Sequence, residues 1–218
     1  MQLVPASLRR PAAVLLAACL TAMAVTGVRF AHYRLPDWLD AAFDPRIQAQ
    51  LGRFPVLLTW LPDLGTLEPV AAMTLALIVG CALARRWRGA LLAAVAVPVA
   101  IGLTEYLLKP TVGAAIGQAF PSGHAASMFA LAASCAVLLA APARHRLSGT
   151  VRLLLALVAV LLAAAVAAVM VANGAHSFTD ALGGAAVGTG VVLACAFSLD
   201  WLAGWWQRVL AAPLGPGG

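Results

Sequence analysis

The chain has 218 residues, of which 63% are hydrophobic and 10% charged, and its mean hydropathy is +0.95. Soluble domains carry about 25% charged residues, so this composition excludes a cytosolic enzyme, a disordered chain and a disulfide-stapled secreted module. The net charge of +6 is scattered in ones to threes between apolar runs. It lacks the basic stripe with interleaved aromatics of a nucleic-acid site and reads instead as positive charge flanking the cytoplasmic ends of membrane spans.

A membrane-spanning helix takes about 20 apolar residues, and the apolar runs predict an all-α bundle of six such helices in a single domain over residues 1–218. The first span covers residues 11–28, behind Arg9 and Arg10. Leu16-Ala17-Ala18-Cys19 looks like a lipoprotein cleavage box, but the apolar run continues through Met23 and Val25, so an uncleaved span is expected. Residues 29–65 form a long polar outer loop. Within it Trp38, Leu39, Phe43, Ile47 and Leu51 recur near helical spacing. They predict an amphipathic helix on the membrane surface, with Trp38 and Trp60 at headgroup level.

The second span is read over residues 66–84, stopped by Arg85-Arg86-Trp87-Arg88, and the third over 89–108, with a kink at Pro98. A short loop at 109–121 leads to the fourth span, 122–141. The fifth covers 153–172 and the sixth 180–201, and the Gly/Pro-rich tail 213–218 is expected to be disordered. With the amino terminus inside, the inner segments hold Arg9, Arg10, Arg85, Arg86, Arg88, Arg144, Arg146, Arg152 and Arg208. The outer segments hold Arg29, Arg34, Arg46, Arg53 and Lys109, alongside Asp37, Asp40, Asp44, Asp63 and Glu68. Nine basic residues against five place both termini inside. Gly184 and Gly188 form a small-xxx-small pair, expected to let helices approach closely within the bundle. Cys19, Cys81, Cys135 and Cys195 each sit alone in a different apolar run, without metal-ligand or redox spacing, and read as packing residues.

Of the four histidines, His124 and His176 fall at span boundaries on the predicted outer side, with Asp180 and the only lysine, Lys109. Ionisable groups are expensive there and mark function. In Phe120-Pro121-Ser122-Gly123-His124, Ser122 is a good N-cap for the apolar helix that follows. The first N–H groups of that helix have no internal partner and, with its dipole, favour an anion. Gly123 leaves room for a phosphate, and His124 is placed to donate a proton. The same residues also read as a plain cap followed by a surface histidine. In Gly174-Ala175-His176-Ser177-Phe178-Thr179-Asp180, a helical turn would put His176 and Asp180 on one face. Asp180 then orients the ring and leaves the other nitrogen free to attack; the bland alternative is an ion pair at a helix start. Lys109 offers a point charge for phosphate, held by Glu105 one turn earlier, or it simply snorkels at a span end. Together a cation, a helix N-terminus with a histidine, and a His–Asp pair suit phosphoryl transfer through a phosphohistidine. No metal-ligand cluster stands out.

Lys109-Pro110-Thr111-Val112-Gly113, Phe120-Pro121-Ser122-Gly123-His124 and His176-Ser177-Phe178-Thr179-Asp180, in this order, resemble the motifs of the type-2 phosphatidic acid phosphatase family. That family shares its active site with the vanadium haloperoxidases. The resemblance covers roughly residues 67–199, and the first span with the long outer loop suits the bacterial membrane members. It implies that Lys109 binds phosphate, Ser122 and Gly123 hold its oxygens, His124 protonates the leaving group, His176 attacks phosphorus and Asp180 orients His176. It further implies that water releases phosphate without a metal or other cofactor. The implied substrates are lipid phosphates or pyrophosphates: polyprenyl carriers such as undecaprenyl pyrophosphate, phosphatidic acid, or phosphatidylglycerol phosphate. The implied setting is a bacterial inner membrane, with the site on the outer, periplasmic face.

The chain departs from the pattern at two points. The family's Arg-Pro after the lysine is Ile116-Gly117 here, with Ala114 where a related pattern has arginine, and its Ser-Arg before the histidine pair is Val169-Met170. Losing one preorganised donor typically costs about 10²–10³ in rate. An arginine of the outer loop, Arg34, Arg46 or Arg53, is the available replacement. The alternative reading is a non-catalytic protein of the same fold that binds or transports a lipid phosphate. An unrelated transporter or scaffold would instead keep His124 and His176 far apart.

Overall fold

The computed structural model describes residues 2–32, 38–113, 120–141 and 147–211. Arg34, Asp37, Ala114, Ile116, Gly117, Arg144, His145, Arg146 and residues 213–218 lie outside them. Among the described residues the regular structure is all helical. A short 3-10 turn, Ala6–Leu8, leads into α1 (Arg9–His32). The polar stretch folds into α2 (Trp38–Leu51) and α3 (Pro55–Leu64), and α4 (Leu67–Leu83) follows. Next come α5 (Trp87–Gly102) and a π-helical continuation, α6 (Leu103–Gly113). The chain ends in α7 (Gly123–Ala140), α8 (Gly149–Ala172) and α9 (Phe178–Ala211).

Five helical stretches are long and apolar enough to cross a bilayer: Ala6–Val28, Trp87–Val112, Gly123–Ala140, Gly149–Ala172 and Phe178–Leu210. A sixth results if α3 and α4, bent by 59° at the Gly65 corner, count as one. The second predicted span is thus α4, 17 residues long, which needs α3 to reach membrane thickness. On α8, Leu153, Leu154, Leu157, Val158 and Leu161 are exposed, as suits side chains solvated by lipid. These helices fit an integral membrane protein.

The third predicted span does not stop at Leu108. The helix runs on through α6, so Lys109 and Pro110, read as the start of a loop, stand on helix. Pro110 removes one ladder donor, but a chain in an apolar medium must still pair its backbone internally. A wider π-type turn does so here, and such turns often sit at functional sites. Two hydroxyls bond back into the helix: Thr104 Oγ1 donates to Ala100 O and Thr111 Oγ1 to Leu107 O.

At the centre, α7 packs against α9, α8 and α5, and α1 lies along α9. The contact surfaces are small: Ala93, Ala96 and Ala100 of α5 and Ala125, Ala126 and Ala130 of α7 are buried. Small residues let backbones approach where lipid gives no hydrophobic drive for association. Gly184 and Gly188 serve this packing within the bundle, as expected. A Cβ at Gly184 would run into Ser122 O, and one at Gly188 into Ala126 O.

Three arginines at the helix ends are bonded into the fold. Arg86 Nη2 donates to Leu138 O at 2.7 Å, and Arg152 Nη2 donates to Ala140 O at 3.2 Å. Both close the carbonyl end of α7, where positive charge is favoured. Arg88 Nη2 bonds the buried Asp200 at 2.7 Å, and that carboxylate also accepts from Leu3 N and Val4 N at 2.8 and 3.0 Å. The chain start is thereby tied to α9.

Candidate active site

The α8–α9 connection is two capping motifs back to back. Gly174 takes a left-handed conformation (φ +70°) that glycine adopts without strain. Gly174 N donates to Val171 O and Ala175 N to Met170 O, which ends α8 in a Schellman motif. Ser177 then opens α9 in a capping box. Its Oγ accepts from Asp180 N at 3.2 Å, and Asp180 Oδ2 accepts from Ser177 N at 3.1 Å. His176 is the residue between the two motifs. It is therefore not on a helical turn with Asp180, as the four-residue spacing suggested; the cap folds the carboxylate back toward it instead. His176 Nδ1 lies 3.5 Å from Asp180 Oδ2, with both side chains under a tenth exposed. Neither Nδ1 nor Asp180 Oδ1 has a hydrogen-bond partner among the described residues. Catalytic hydrogen bonds are often this long before substrate binds.

The second motif starts α7. Ser122 is wholly buried and is the N-cap, its Oγ accepting from Ala125 N at 3.4 Å. Its own N–H donates to Asp180 O at 3.0 Å, so the two turns are joined through backbone. Among the described residues no hydrogen bond takes the N–H of Gly123 or His124. These donors are left at the positive end of the α7 dipole.

The first motif reaches the same place from α6. Lys109 Nζ is held by both Glu105 oxygens at 2.6 and 2.8 Å. This pair stands over Gly123: a Cβ there would collide with Glu105 Oε1 and lie 3.4 Å from Lys109 Nζ. The rings of His124 and His176 have centroids 6.5 Å apart at 57°. Lys109, Ser122, Gly123, His124, His176 and Asp180 are therefore brought together, against the separation that an unrelated transporter would show. Two imidazoles at this distance leave room for one tetrahedral anion, since reacting atoms approach to about 3–3.5 Å.

The missing arginines are not replaced among the described residues. Met170 is buried and contributes its carbonyl to the turn, accepting from Ala175 N and His176 N. Arg46 and Arg53 are exposed, and among the described residues no hydrogen bond or ion pair joins either to the site. Four neighbours of the site, Gly65, Asp40, Asp44 and Phe43, have no place in the three motifs. Gly65, at the α3–α4 corner, faces the His124 ring: a Cβ there would lie 2.7 Å from His124 Cδ2. Asp40 accepts from Thr179 N and Thr179 Oγ1, both at 2.8 Å, and Asp44 accepts from Phe178 N at 2.9 Å. Phe43 stacks on Phe178 at 4.6 Å. The available signal was the α2 pattern itself, in which Asp40 and Asp44 share a helix face with Phe43 and Ile47. Burial pushes the Asp44 carboxyl above its usual range; the Phe178 N–H opposes this, and the charges of Asp40 and Asp180 add to it.

A protein-family profile described as the PAP2 superfamily matches residues 67–203. No curated protein and no solved structure matches the chain. The matched segment holds the lysine, the Pro-Ser-Gly-His turn and the His–Asp turn that meet in the bundle, and the chain belongs to the PAP2 superfamily.

Proposed function

We propose that this chain is an integral membrane phosphatase acting on a lipid phosphate or pyrophosphate through a phosphohistidine on His176. The observation that carries the reading is the meeting of His124 and His176 beside the α7 N-terminus and Lys109. With Nδ1 turned to Asp180, His176 keeps Nε2 for attack on phosphorus. The N–P bond forms as the bond to the lipid oxygen breaks, and His124 gives that oxygen its proton. His124 then takes a proton from water, which attacks phosphorus and returns His176. Lys109 and the N–H groups of Gly123 and His124 hold the phosphate oxygens.

In this reading α3–α4 completes a sixth span, both termini are cytoplasmic, α2 lies on the outer surface, and the site opens at the outer face of a bacterial inner membrane. Polyprenyl phosphates and pyrophosphates, phosphatidic acid and phosphatidylglycerol phosphate are the substrates to try. Purified full-length protein in detergent is expected to release phosphate from at least one of them, and His176→Ala to stop it. Equal release by both proteins overturns the assignment.

A second reading, a lipid-phosphate binder without turnover, draws on Met170 at an arginine position and on Lys109 already held by Glu105. Saturable binding of phosphatidic acid with no phosphate released at any pH would favour it.

A further inference from the structure

Helix α9 begins with four N–H groups, from Ser177 to Asp180, that no helical turn can satisfy, and each has a side-chain acceptor, Ser177 N bonding Asp180 Oδ2. Asp180 N is taken by Ser177 Oγ, within the turn. Phe178 N and Thr179 N are taken by Asp44 and Asp40, carried on a different helix. Asp40 also binds the Thr179 hydroxyl, which lies 3.2 Å from Ser177 Oγ, the cap itself. Asp40 is buried although it belongs to the polar outer segment. Phe43 stacked on Phe178 and Ile47 packed against Ala125, Ala167, Val171 and Ala181 complete the same face. The N-termini of α7 and α9 thus differ in kind. That of α7 is left with donors toward the site, while that of α9 is filled by carboxylates of the chain and cannot serve a phosphate.

We infer that α2 is the positioning element of the candidate nucleophile: Asp40 foremost, with Asp44, clamps the first turn of α9 and so fixes His176 and Asp180 against His124. Asp40 touches neither imidazole; it acts through Thr179 and Ser177. A displacement of about 1 Å at a reacting group can cost about 10²-fold in rate, so loosening this clamp lowers turnover without removing a reacting group.

The inference rests on the phosphatase reading for its kinetic consequence, and the test separates the two. Full-length wild type, Asp40→Ala, Asp40→Asn and Thr179→Val are compared in detergent with each of the lipid phosphates named above as substrate. Labelling of His176 by diethylpyrocarbonate is followed in parallel by peptide mass spectrometry. Asp40→Ala is expected to lower kcat about 10- to 100-fold with KM within about twofold, and to speed His176 labelling several-fold. Asp40→Asn, which keeps an acceptor for Thr179 N, is expected to recover most of both. Thr179→Val removes the hydroxyl alone and supplies the answer if Asp40→Ala does not fold. Faster labelling with no turnover in any protein, wild type included, rejects the phosphatase reading and keeps the clamp. Wild-type turnover with kcat and labelling both unchanged in the folded variants overturns the clamp.

Discussion

The N–H of Ser122 donates to the carbonyl oxygen of Asp180 at 3.0 Å. This bond joins the turn that opens α7 to the turn that opens α9, so the two histidine-bearing turns are linked directly through backbone. Small residues make the approach possible. On the α9 side Gly184 faces Ser122 O, and one turn further Gly188 faces Ala126 O.

Gly188→Ala is therefore expected to destabilise the protein by about 1–3 kcal/mol, because the new methyl meets backbone that cannot step aside. Gly204, on the same helix with nothing within 4 Å of a Cβ, is the control. Gly204→Ala is expected to be neutral or to stabilise by up to about 1 kcal/mol. Thermal unfolding of both variants in detergent checks the contrast.

At Gly123 the outcome should be the reverse, lost activity on an intact fold. The added methyl meets the end of Glu105, a side chain that can move. Stability is expected to change by less than about 1 kcal/mol. Moving Glu105 shifts Lys109, which it holds at 2.6 Å, and fills space meant for phosphate. Phosphate release is expected to fall about 10²-fold, read as kcat/KM beside the melting temperature.

Asp44 carries a pH prediction. Burial raises its carboxyl in the folded state, so the folded chain keeps this proton longer than the unfolded one. The ionised form then costs stability, and the cost appears as pH rises past the ordinary carboxylate range, near 4. Asp44→Asn keeps an acceptor for Phe178 N without the charge. Its melting temperature is expected to match wild type near pH 3 and to gain on it toward pH 7. A variant that loses ground over that interval would mean that the helix N-terminus outweighs burial.

Much of this architecture was legible because it follows from local chemistry. Long apolar runs gave the helices, a hydroxyl after proline gave the Ser122 cap, and the spacing of Gly184 and Gly188 gave a close helix contact. What escaped depends on partners distant along the chain. Asp40 and Asp44 look like solvated charges until α2 is laid on α9. Gly65 looks like a plain corner until His124 is against it. Lys109 reads as the start of the loop at 109–121, whereas a π-type turn carries the helix past Pro110. His176 reached Asp180 by a capping box rather than by helical spacing.

The central claim is that His176 is the nucleophile, and trapping its covalent intermediate tests it most directly. Wild-type protein in detergent is mixed with the lipid phosphate that it hydrolyses, labelled at phosphorus, quenched in base within milliseconds, and digested for mass spectrometry. The account expects an acid-labile, base-stable phosphoryl group on the His176 peptide, and its absence from His176→Ala together with a loss of turnover of at least about 10³-fold. Sustained phosphate release by His176→Ala, or a label on His124 in its place, would contradict it.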